Sequence, residues 1–276
     1  MKWAARLFLA FLILVIIIAP WQALAGSLAD WRKTTILQQM LFLKPTLVNW
    51  LTLRTPANPY NVYILDWAFN SLRVGTLAGL GQVLVSVSLG YAFARWDFPG
   101  KGWLMSLSTL QMVVPGSVLF LPMYIVFYKL GLRGWPGLVL PMWFSGGTAI
   151  WTRQFARGMA SDVLDAAKVD GCGEWQAFWR VGLPLLRPIV AMTFVGAFSS
   201  AWSNILWANV MLKGQDEWTL SQGAMMIIAI AQGQSQTAGK IGMMCAMGIV
   251  CTLPVICLYA IAQTQVETGL EELFRE

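Results

Sequence analysis

Long apolar runs with uncharged centres constrain this chain more than any other feature. A helix needs about 20 mostly apolar residues to cross a bilayer. Six runs meet or approach that length, at about 7–25, 67–94, 103–128, 136–152, 188–212 and 241–263. No Asp, Glu, Lys or Arg stands at the centre of any of them. Of the 276 residues, 57% are apolar and 12% charged. A soluble domain carries about 25% charged residues, so the chain lacks the polar surface that water demands. The reading is an all-α, multi-pass membrane protein with six transmembrane helices, forming one transmembrane domain over 1–276.

The net charge of +6 does not point to nucleic acid, because the basic residues fall in short segments between apolar runs. There they anchor helix ends at lipid headgroups. The chain has no histidine, which removes the commonest metal ligand and general base. Cys172, Cys245, Cys251 and Cys257 show no metal-ligand spacing. No paired carboxylates or nucleophile–base set stands at a plausible site, so the chain does not read as an enzyme and no metal site is expected.

The first run follows Lys2 and Arg6, so both a cleaved signal peptide and an uncleaved first helix fit; its length favours the helix. Segment 26–66 is polar and broken by Pro45, Pro56 and Pro59, and reads as an external loop with one short interfacial helix. The second run holds Gly79 and Gly81 among small residues, which let helices approach closely in lipid. Pro115 and Pro122 fall inside the third run, where neighbours can satisfy the carbonyls they free. Segment 213–240 reads as a second external loop, with an apolar stretch at 224–231 too short to span. Gly214, Gly233 and Gly239 would let it reach outward.

Six spans put both termini on one side. Ten of the 19 Lys/Arg lie there: Lys2, Arg6, Arg95, Lys101, Arg153, Arg157, Lys168, Arg180, Arg187 and Arg275. The opposite side has more loop sequence, so its basic density is lower. The positive-inside rule therefore leans toward cytoplasmic termini. Uncharged helix centres also argue against an ion-coupled carrier, which needs proton or ion sites inside the membrane. Their absence points to an energy source for transport elsewhere. A membrane scaffold remains a competing class.

Segment 153–187 is then cytoplasmic, and 162–188 is its most specific part. Ser161 or Asp162 can cap a short helix. Gly171 and Gly173 permit a sharp turn. A second short helix over 174–181 groups Trp175, Phe178 and Trp179 on one side. Pro184 and Pro188 reset the chain before the fifth run.

This segment resembles the EAA loop of ABC-importer permeases. Asp165, Ala166 and Ala167 stand at the Glu-Ala-Ala positions, Gly171 at the glycine, and Val181, Leu183 and Pro184 at the closing motif. Asp165 in place of Glu keeps the charge with one methylene less. The likeness continues in Asn70-Ser71, Tyr91-Ala92-Phe93-Ala94-Arg95, Gly100-Lys101, Pro115, Pro122 and Tyr124. Ala201-Trp202-Ser203-Asn204, Trp207 and Thr219-Leu220 are similar to the carbohydrate, maltose-type branch.

The resemblance implies a type I importer permease fold in the cell inner membrane, moving a sugar or a sugar-like solute such as a polyol or osmolyte. It implies partner ATPase subunits, a second and different permease chain, and an external solute-binding protein. The chain has no Gly-x-x-x-x-Gly-Lys-Ser/Thr loop, so ATP and Mg²⁺ would sit on the partners and no cofactor on this chain. Asp165, Ala166, Ala167, Asp170, Gly171, Leu183 and Pro184 would couple to the ATPase. Trp202, Ser203, Asn204 and Trp207 are candidates for the solute path, since indole faces suit a sugar ring and Asn and Ser give directional hydrogen bonds. The two external loops would dock the binding protein.

Overall fold

The computed structural model describes residues 2–30, 33–54, 63–159, 161–232 and 238–273, and every regular element among them is helical. The chain divides into two compact units, Met1–Phe69 with Trp218–Val255, and Asn70–Glu217 with Ile256–Glu276.

In the first unit, α1 runs over Lys2–Ser27, longer than the expected 7–25. Segment 26–66 holds two short helices rather than the expected one. It carries α2 (Ile36–Met40) and α3 (Val48–Arg54). Thr35 and Gln38 form a reciprocal capping box that starts α2. Buried Asn49 on α3 donates its amide to the carbonyls of Ser27 and Ala29, both at 2.9 Å. These bonds close the C-terminal end of α1, whose last carbonyls lack partners within the helix. Pro56 and Pro59 lie outside the described residues.

Helix α4 begins at Ile64 and ends at Gln82, and α15 covers Leu220–Gln232. The apolar stretch 224–231 is thus part of a full helix. Gly223 on α15 receives the Trp67 ring so closely that a Cβ would overlap it. Gly233 lies outside the described residues. The last helix, α16, extends over Ala238–Leu273, well past the expected 241–263.

The run 67–94 is continuous helix, with a π-helical turn over Val83–Val87 between α4 and α5 (Ser88–Arg95). The run 103–128 is not one straight helix. It forms α6 (Lys101–Val113) and α7 (Gly116–Lys129), bent by 115°. Pro115 is the cause: it disfavours helical backbone at Val114, which is extended at φ −78° and ψ 120°. Pro122 stays inside α7.

The run 136–152 is also split, into α8 (Gly134–Val139), a 3₁₀ turn (Leu140–Trp143) and α9 (Gly146–Gly158). Ser145 caps α9 by accepting the Thr148 N–H at 3.2 Å. Its own N–H goes to Ser86 Oγ in the π turn at 2.9 Å. Gln82 adds a bond to Thr148 Oγ1 at 2.8 Å, and Gln111 near the α6 end accepts the Gly146 N–H. Side-chain polar groups thus replace the backbone bonds lost at the break.

Among the described residues three helices are long and apolar enough to cross a membrane: Arg6–Ser27, Ile64–Arg95 and Ile241–Thr264. Two bent pairs bring the figure to five when each counts as one span. The glycine face of the second run is filled as small residues allow. A Cβ on Gly75 would lie 2.6 Å from the Phe198 ring, and one on Gly79 2.7 Å from Phe194.

Candidate coupling site

The loop that follows α9 is two short helices joined by a glycine turn. Helix α10 covers Ser161–Val169. Gly171 ends it at φ +83°, in the left-handed region that glycine enters without steric cost. The Cys172 N–H then bonds back to the Ala167 carbonyl at 3.0 Å, closing the helix end in a Schellman pattern. Helix α11 (Glu174–Ala177) continues through a π turn (Phe178–Gly182) into α12 (Leu183–Leu185). That stretch meets α13 (Arg187–Ser203) at 77°.

One side of this hairpin is fixed to the chain. Phe178 is buried beside Tyr91, with ring centroids 4.8 Å apart, and beside Trp96 at 6.4 Å. Gly182 lies on Tyr91, where a Cβ would come within 2.8 Å of the ring. Leu186 and Ile189 complete a core with Val87, Ala156 and Met159, and Leu183 packs against it. The Trp96 indole N–H donates to Glu174 Oε2 at 3.0 Å, and its ring lies 5.6 Å from Trp175.

The seat beneath is itself braced. Arg95 Nη2 donates to the carbonyls of Ala156 and Met159, at 2.8 and 2.9 Å. A guanidinium there satisfies orphan carbonyls and suits the negative end of α9. Gly100 sits at φ +84°, and Lys101 Nζ binds the Trp96 carbonyl at 2.8 Å and Asp97 at 2.9 Å. The Tyr91–Arg95 and Gly100-Lys101 motifs therefore form the platform of the loop.

The other side of the hairpin faces outward. Asp165, Ala166, Asp170 and Gly171 are exposed, Ala167 and Pro184 half-buried. Val169 is 87% exposed and Val163 49%, which is unusual for valine on a short helix. Leu164 points inward and is buried. The side chains of Ser161, Asp162 and Lys168 lie outside the described residues.

The solute-path candidates fall at a helix break. The run 188–212 is not continuous: α13 ends at Ser203 and α14 covers Ile205–Met211. Asn204 causes the interruption, with φ −78° and ψ 91°, and its Oδ1 accepts the Trp207 N–H at 3.1 Å. Trp207 is buried, its indole N–H on the Gly137 carbonyl at 3.0 Å and its ring edge-on to Phe120 at 5.5 Å. Trp202 is buried and stacked on Phe198 at 5.4 Å. Ser203 is exposed and bonds back to the Ser199 carbonyl at 2.9 Å. Among the described residues no group of His, Cys, Asp or Glu could hold a metal ion.

The family profile described as the binding-protein-dependent transport system inner membrane component matches residues 83–271. The chain belongs to this family. It is a multi-pass inner-membrane transport component and not an enzyme.

Relatives cover from three quarters of the chain to nearly all of it. The arabinooligosaccharides transport system permease protein AraQ of Bacillus subtilis is 27% identical over 268 residues, 97% of this chain and 93% of that protein. The maltose/maltodextrin transport system permease protein MalG of Escherichia coli is 29% identical over 217 residues, 75% of this chain and 71% of that one. The lactose transport system permease protein LacG of Rhizobium radiobacter is 27% identical over 212 residues, 76% and 74%. A bacterial ABC transporter involved in the import of the acidic polysaccharide alginate contains a chain of the same fold. Its TM-score is 0.81, at 16% identity and 95% coverage of both chains.

Sequence reasoning missed Tyr91, Arg95, Trp96 and Glu174 as parts of the site. Tyr91 and Arg95 belong to the Tyr-Ala-Phe-Ala-Arg motif, but no spacing rule ties them to a loop some 80 residues on.

Proposed function

We propose that the chain is one permease subunit of an ATP-driven importer for a sugar or a sugar-like solute such as a polyol or osmolyte. Its partners are two ATPase subunits that hold ATP and Mg²⁺, a second and different permease chain, and an external solute-binding protein. The chain crosses the membrane six times with both termini in the cytoplasm. The bent pair α6–α7, the broken α8–α9 and the interrupted α13–α14 then count as spans. Segments 26–66 and 213–240, with their helices, face the binding protein.

The observation that carries this reading is the two-sided hairpin 161–185. Its inner side is bolted to Tyr91 on α5 and to Trp96, and Arg95 ties α5 in turn to the end of α9. Its outer side offers Val163, Asp165, Ala166, Val169 and Asp170. A rigid element with exposed valines between carboxylates suits docking into a partner groove, where the valines lose water and the acids select orientation. A push on the hairpin reaches α5 and α9 directly, as a two-state coupling element requires. Asp165, Ala166, Ala167, Asp170 and Gly171 make the contact, and Leu183 and Pro184 set the hairpin on its base.

For the solute we propose the Ser203–Asn204 break. Interrupted helices expose backbone and short polar side chains at membrane depth, where carriers bind solutes. Trp202 and Trp207 shape the break from within. The names of the relatives support sugars. Uptake of labelled maltodextrins, arabinooligosaccharides and polyols, in cells with and without the chain, tests the reading. Chain-dependent uptake of a sugar is expected, and uptake of none of them overturns the substrate class.

A further inference from the structure

A cavity of about 400 Å³, its open mouth included, lies between the end of α7 and the end of α14, away from the hairpin and the Ser203–Asn204 break. Its floor is apolar, with Leu132 and Met211, and its rim carries Tyr124, Tyr128, Arg133 and Lys213. The Arg133 guanidinium stands 3.9 Å above the Tyr128 ring, so stacking holds it at the mouth. Neither Arg133 nor Lys213 has an acidic partner within ion-pair distance among the described residues, although Asp216 and Glu217 follow closely in the chain. The outer surface of α7 is exposed and apolar at Leu121, Ile125 and Val126. The cavity therefore opens at the end of a helix face suited to lipid.

We propose that this cavity binds a phosphate-bearing anion, and that the headgroup of an anionic phospholipid supplies it. A guanidinium matches phosphate oxygens with paired donors, and a lysine adds a point charge. Two phenols offer further hydrogen bonds at a depth where tyrosine prefers the membrane interface. Arginine and lysine beside a lipid-suited helix face attract anionic headgroups for these reasons. The apolar floor takes the glycerol and first methylenes, which a free inorganic anion would leave empty. This inference goes beyond the transport reading, in which Lys213 is the first residue of the segment that faces the binding protein.

The test uses the full-length chain, purified with its partner subunits, stripped of lipid and offered phosphatidylglycerol or phosphatidylcholine. Retained lipid is read by native mass spectrometry. Wild type is expected to retain phosphatidylglycerol selectively. The double variant Arg133→Gln, Lys213→Gln should lose roughly 30-fold in retention, at about one membrane-surface charge contact per basic residue. The exchange Arg133→Lys, Lys213→Arg keeps both charges and should keep retention, which separates lost charge from lost fold. Displacement of the lipid by millimolar inorganic phosphate would support the anion site but make a soluble phosphate its source. Equal retention of both lipids, or full retention by the double Gln variant, overturns the proposal.

Discussion

Trp96, just past the end of α5, holds Glu174, the first residue of α11, through an indole N–H···Oε2 bond of 3.0 Å. The bond ties the start of the outward-facing hairpin to the helix that carries Tyr91 and Arg95. Trp96 is half-buried and Glu174 exposed, so the bond's own stabilisation is modest. Glu174→Gln keeps an acceptor and should leave the hairpin unchanged. Glu174→Ala should raise amide hydrogen exchange across 174–182, with a loss of about 1 kcal/mol or less. Unchanged exchange in Glu174→Ala would show that the aromatic cluster alone holds the loop.

Gly182 has no room for a side chain, because its α-carbon faces the Tyr91 ring. Gly182→Leu is expected to lower stability by about 1–3 kcal/mol through overpacking. Thermal unfolding of the purified complex measures it. Adding Tyr91→Ala should recover part of the loss, and failure to do so would place the strain elsewhere.

Arg95 meets two carbonyls at the end of α9 with one nitrogen. Arg95→Met keeps the aliphatic stem and strands both acceptors. A loss of about 2–3 kcal/mol is expected, since hydrogen bonds to charged groups are the stronger kind. A loss below about 0.5 kcal/mol on thermal unfolding would mean that water replaces the guanidinium fully.

Asn204→Ala removes the cap of α14 and should cost about 1 kcal/mol of stability. Asn204→Ser, which can still cap, should restore it. On the proposed solute path Asn204→Ser should nonetheless weaken uptake, because the amide N–H₂ is gone. Uptake equal to wild type in a stable Asn204→Ser chain would remove Asn204 from the path.

Much of this structure was legible in the sequence. The uncharged runs announced a membrane protein because charge at bilayer depth is costly whatever the fold. Gly79 and Gly81 announced close helix contacts, and the structure fills their face with Phe194 and Trp143. Gly171 announced a turn because glycine enters the left-handed region at no steric cost. The breaks were harder to read. Pro115 reads equally as a tolerated kink and as a 115° bend, since the outcome depends on whether a neighbour such as Gln111 supports the separated ends. Ser145 and Asn204 cap new helices inside apolar runs, and a lone polar residue there carries no local mark of capping. Arg95 read as a headgroup anchor because nothing near it in sequence names the α9 carbonyls it meets.

The central claim is that the exposed side of the hairpin transmits ATP hydrolysis on partner chains into movement of this one. The direct measurement is ATPase activity of the reconstituted complex with its binding protein, across sugars and polyols. Wild type is compared with Asp165→Lys and Gly171→Trp, both at exposed positions. Solute-stimulated hydrolysis in wild type, lost in both variants while the complex still assembles in the membrane, is the result the account predicts. Stimulation by solute that survives both substitutions would contradict it.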